Sequence, residues 1–125
     1  MEKVQNIARL ILGVLLVVFG LNYFLQFMTL PPMAEPANIF IGAIFKAGYI
    51  LPVVAAVEIL SGLALILTKY KALALVVVFP VLLNAFLFHL FLDLAGSGAA
   101  AFLFALNIFL IVRYKDAYAA ILKPN

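Results

Sequence analysis

The sequence predicts an all-α membrane protein: one four-helix bundle, with a short interfacial helix between its first and second spans. Three observations predict it. Hydrophobic residues make up 69% of the 125 residues and charged residues only 10%, with a mean hydropathy of +1.29, whereas soluble domains average nearer half apolar and a quarter charged. Four apolar runs recur along the chain, the first of them long enough to cross about 30 Å of hydrocarbon as a helix. Short turns separate the later runs, so neighbouring spans must run antiparallel.

The first span is expected at about 8–29, after a polar start containing Lys3 and Arg9. A basic start before an apolar run also describes a signal peptide, but this run is too long and no small-residue cleavage pattern follows, so it reads as a retained span. Asn22 and Gln26, four residues apart, share one face near its far end. Pro31, Pro32 and Pro36 make the following stretch an extended loop. The run at about 38–48 is too short to span and reads as a helix lying in the interface or dipping into it.

The second span is expected at 49–67, with Pro52 tolerated in its first turn. Thr68 to Lys71 form a basic turn, and the third span follows at 72–92, with Pro80 expected to kink it. Asp93 to Gly98 form the next turn, and the fourth span occupies 99–114. Tyr114, Ala117, Tyr118, Ile121 and Leu122 recur at helical spacing, so the last helix is expected to continue into the headgroup layer with its tyrosines as anchors.

An even number of spans places both termini on one side. Lys3, Arg9, Lys69, Lys71, Arg113, Lys115 and Lys123 fall on that side and Lys46 on the other, which predicts cytoplasmic termini by the positive-inside rule. A net charge of +3 is too small to indicate nucleic-acid binding.

Polar side chains inside hydrocarbon are costly and are seldom kept without a use. Reflecting positions about the turns brings Glu58, Asn84, Asn107 and Asn22, one from each span, to about the same depth. Gln26 and His89 form a second layer, and Asp93 lies at the mouth as a solvated helix-end residue. The pattern predicts a polar pocket for ligand contact or proton exchange if all four helices turn these faces inward. Asn84 and His89 are five residues apart, so both face inward only on a wide or kinked face. Ala55, Glu58, Ser61 and Gly62 form a small-residue stripe that lets a neighbour approach closely, and Gly13 and Gly20 are helix-contact positions. His89 and Asp93 are spaced to pair. Each polar group also has a purely structural reading: interhelical glue for the asparagines, a hydrogen-bonded carboxyl at Glu58 and a satisfied histidine at position 89.

Several chemistries are set aside. The chain has no cysteine and one histidine, which removes disulfide exchange, iron–sulfur clusters and bis-histidine haem on this chain. No metal site is expected, since Glu58 and His89 lie at different depths. No phosphate-cradling glycine loop and no catalytic serine arrangement is present.

The segment from Gly48 to Leu67, with Glu58 and a glycine four residues later, resembles the second span of the DoxX family. Pro80 to Asp93 resembles the third span of a DoxX-like subgroup in which Pro, Asn and His recur, and Arg9 to Gly20 fits the first span. The resemblance implies a four-helix protein of the bacterial inner membrane, in a family some of whose members are linked to membrane oxidoreductase assemblies. It carries Glu58, Asn84 and His89 over as family positions and assigns them no catalytic role. Three functions are open on this reading. One is a redox accessory binding a quinone-like lipophilic molecule through Glu58, Asn84 and His89. Another is a proton-coupled binding or transport bundle, acting alone or as a homodimer. The third is a structural subunit of a membrane complex.

Overall fold

The computed structural model describes residues 1–124. Four long apolar helices make the bundle: α1 (Glu2–Leu25), α3 (Ile50–Leu67), α4 (Lys71–Leu92) and α5 (Ser97–Arg113). All four are apolar and long enough to cross a membrane, α5 counted with the short 3-10 turn that leads into it. The short α2 (Glu35–Ala47) lies between the first two spans, and a 3-10 turn and a single-turn α6 (Ala119–Leu122) end the chain. In cross-section the spans follow one another around a ring in the order α1, α3, α4, α5, with α2 resting against α3 and α4.

The α1–α3 contact is the most extensive, and small residues make it. Gly13 faces Gly62 and Gly20 faces Ala55, an antiparallel register with seven residues between contacts. A Cβ added at Gly62 would stand 2.6 Å from the Gly13 carbonyl oxygen, and one at Gly20 would stand 2.8 Å from that of Ala55. The backbones therefore touch, as small residues permit in membranes, where dispersion and close packing replace the hydrophobic effect as the drive for helix association. The stripe read from the sequence is this seam.

Leu12, Leu16, Leu65, Leu75, Val78, Leu82 and Leu110 form the core between the four spans. Outside it, Leu60, Leu73, Phe91, Phe102 and Val112 are exposed around the bundle, as expected where lipid is the solvent. The α3–α4 turn is tight and uses no glycine: Thr68 and Tyr70 both adopt left-handed backbone (φ 59° and 58°). The Lys69 N–H donates to the Ala64 carbonyl at 3.0 Å and helps close the end of α3.

Boundaries differ from expectation at three places. The first helix spans 2–25 rather than 8–29, because Gln26 turns left-handed (φ 51°) and ends it before the proline loop. The short helix starts at Glu35 rather than 38, with Pro36 in its first turn, where a missing N–H costs nothing. The last helix does not continue unbroken to Leu122. It ends at Arg113, and a 3-10 turn (Lys115–Tyr118) folds the tail back against α4. There the Tyr118 hydroxyl donates to the Ala72 carbonyl at 2.8 Å, and the Lys71 ammonium sits 5.0 Å from the centre of the Tyr114 ring. These tyrosines are internal contacts of the protein.

Candidate functional site

α3 is apolar on every side, so its small residues, rather than a polar face, decide which way it turns. Gly62 and Ala55 must meet α1, and Ser61 and Leu65 are buried beside them. Glu58 precedes Ser61 and Gly62 by three and four residues, so it lies on the same inward face. It remains only half-buried, and it makes no hydrogen bond or ion pair with any described residue.

The other polar residues do not gather around it. Asn107 is wholly buried, and its side-chain amide donates to the Leu75 carbonyl at 3.0 Å. This contact lies nine residues from Asn84, about 13 Å along α4, so the two asparagines do not share a depth as the reflected turns suggested. The turn between α4 and α5 has its own length, a 3-10 segment at Leu94–Gly96, which shifts α5 relative to α4. Pro80 takes one N–H out of the α4 ladder, leaving the Val76 carbonyl without its usual partner. Asn107 staples the carbonyl just before it, the kind of support from a neighbouring helix that lets a membrane helix keep a proline. Its own Oδ1 has no hydrogen-bond partner among the described residues.

Asn84 is exposed on the outer face of α4 and does not enter a pocket with Glu58. Asn22 accepts a hydrogen bond from the Met28 N–H at 2.7 Å and so fixes the chain where it leaves α1. Gln26 is the exposed left-handed cap of that helix and forms no second layer with His89.

His89 and Asp93 do pair: Nδ1 and Oδ2 stand 3.3 Å apart, without the alignment of a full hydrogen bond. Asp93 is buried rather than solvated, because its other carboxylate oxygen accepts from the Ala34 N–H at 3.2 Å and ties the start of α2 to the end of α4. A carboxylate there also suits the positive end of the α2 dipole. Gly96 is needed beside this pair, since a Cβ there would lie 2.5 Å from His89 Nδ1. Among the described residues no group of three His, Cys, Asp or Glu side chains is placed to hold a metal.

Sequence reasoning missed one polar anchor. Arg9, counted only as a topology charge, is buried within α1, and its guanidinium donates to the Leu65 carbonyl in the last turn of α3. A cation at a helix C-terminus meets both an unpaired carbonyl and the negative end of the helix dipole. The signal that could have found it is its place four residues before Gly13, on the face of α1 that meets α3.

The chain matches no family model, no curated protein and no solved structure. Geometry alone therefore sorts the polar residues. Asn22, Asp93, Asn107 and Arg9 are engaged in holding helices and loops together, His89 stands beside Asp93, and Glu58, Asn84 and Gln26 have no side-chain bond among the described residues.

Proposed function

We propose that this chain is a DoxX-like protein of the bacterial inner membrane, with both termini cytoplasmic, that binds a quinone-like lipophilic molecule in contact with Glu58. The observation that carries this reading is the state of Glu58, an inward carboxyl at mid-span that is reachable and has no partner of its own. A carboxyl kept in hydrocarbon without a structural bond is a functional group by default, and it can exchange a proton and a hydrogen bond with a ligand carbonyl. His89 stands beside Asp93 at the end of α4, and it is Asp93, through the Ala34 N–H, that ties α2 there. Neither His89 nor Asn84 supplies the second polar contact expected from the sequence. The charge distribution supports the orientation. No reaction is assigned to the chain itself.

The test is organic extraction and mass spectrometry of protein purified in mild detergent. A stoichiometric quinone or similar molecule, lost in Glu58→Gln, is the expected result. Bulk phospholipid alone, identical in wild type and variant, would sink the reading.

A second reading, a subunit of a membrane complex, is favoured by Asn84. It lies in a line of exposed positions on α4 with Leu73, Val77, Pro80, Leu87 and Phe91, spaced alternately by four and three residues. An asparagine amid such a stripe is suited to hydrogen-bond an incoming helix. With no native cysteine, Leu87→Cys should give a disulfide-linked homodimer that Asn84→Leu abolishes if the partner is a second copy. Absence of the cross-link in native membranes would remove the homodimer and leave a different subunit as the partner to seek.

A further inference from the structure

A groove of about 710 Å³ lies far from Glu58, at the end of the bundle that carries the termini, between the start of α4 and the folded-back tail. Its rim holds two cations, Lys71 and Arg113, together with Tyr114 and Tyr118, and a single carboxylate, Asp116. Its wall is apolar, with Leu73 and Val76 from α4 and Ile121 from the tail. Leu73 and Val76 stand two and five residues along α4 from Lys71, so the apolar wall reaches roughly 3 to 8 Å deeper than the charge. The walls are fixed in place: Tyr118 is bonded to the Ala72 carbonyl, and Lys71 rests over the Tyr114 ring.

We infer that this groove is a binding site for one anionic phospholipid of the surrounding leaflet. The headgroup phosphate meets Lys71 and Arg113, and the first part of an acyl chain lies along Leu73 and Val76. The polarity of the groove selects this occupant. Basic residues at the end of a span attract anionic headgroups, and aromatic rings beside them suit the level where headgroup meets hydrocarbon. A soluble phosphate would use the rim and leave the apolar wall unused. The first turn of α4 has no side-chain cap, so its free N–H groups add positive potential at the same end. Asp116 opposes one of the two cations and leaves the rim net positive.

The experiment is native mass spectrometry of the full chain in mild detergent, titrated with phosphatidylglycerol, with phosphatidylcholine and with inorganic phosphate. The wild type should prefer phosphatidylglycerol over phosphatidylcholine by roughly tenfold, the scale set by two interfacial cations. Lys71→Gln with Arg113→Gln should abolish that preference, while Lys3→Gln with Lys123→Gln, an equal loss of charge outside the groove, should keep it. Leu73→Gln retains both cations and should weaken phosphatidylglycerol binding, which guards against a fold defect in the double variant. The proposal is overturned if the groove variant keeps the preference, if both lipids bind the wild type equally, or if inorganic phosphate competes as well as the lipid does.

Discussion

At the end of the bundle near the termini, Leu12, Leu65, Leu75, Val78 and Leu110 are sealed completely from outside. Toward the end that carries α2, no large apolar side chain of a span is fully buried beyond Leu82 among the described residues; the buried groups there are alanines, Gly20 and Asp93. The polar residues divide in the same way. Arg9, Asn107 and Tyr118 at the filled end each donate to a backbone carbonyl on another helix. Glu58, at the boundary, and Asn84, beyond it, have no such bond. At the α2 end Asn22 and Asp93 are bonded as well, but to the backbone of Met28 and Ala34, so they tie down the segment around α2 rather than one span to another. The polar groups free to meet something else, Glu58 and Asn84, lie on this side of the filled core.

The sharpest way to break this comparison is to attack the seam that joins both halves. Gly62→Leu drives a side chain into the Gly13 backbone, and in thermal unfolding in detergent it should destabilise by about 3 kcal/mol, the upper end of ordinary overpacking. A smaller effect is expected from Arg9→Met, which keeps the apolar stem but leaves the Leu65 carbonyl without its charged donor, for a loss of about 2 kcal/mol. Asn107→Leu removes one interhelical hydrogen bond and should cost about 1 kcal/mol. If Arg9→Met or Asn107→Leu proved neutral, the filled half would owe its stability to apolar packing alone.

Tyr118 gives a gentler probe outside the spans. Burial, with a further contribution from Tyr114, holds its hydroxyl above the ordinary tyrosine range. The folded protein therefore binds this proton more tightly than the unfolded chain. The stability it contributes is complete at neutral pH and falls as pH rises past the unfolded tyrosine value toward the folded one. Unfolding midpoints followed into alkali should decline for wild type and decline less for Tyr118→Phe.

Much of this was legible in the sequence, and the failures share a cause. Span number, the 49–67 and 72–92 boundaries within a residue, the glycine seam and the His89–Asp93 pair follow from length, small-residue spacing and an i, i+4 step. The direction of Asn84 does not, because α4 is apolar all round and declares no inward face. Reflection about turns failed for Asn107 because the 3-10 segment before α5 has its own length. Arg9 looked like a topology signal because the carbonyl it caps lies 56 residues away.

The most direct test of the division is the thermal midpoint of wild type and Glu58→Gln, each measured with and without a short-chain quinone. A ligand that binds only the folded state raises the midpoint, whereas a structural carboxyl would lower it on removal. Equal midpoints without quinone, within the ~0.5 kcal/mol usual for substitutions that break no contact, and a quinone-dependent rise in wild type alone, are the predicted result. A lower midpoint for Glu58→Gln without quinone, with the same shift or no shift in both proteins on adding it, would make Glu58 one more part of the scaffold.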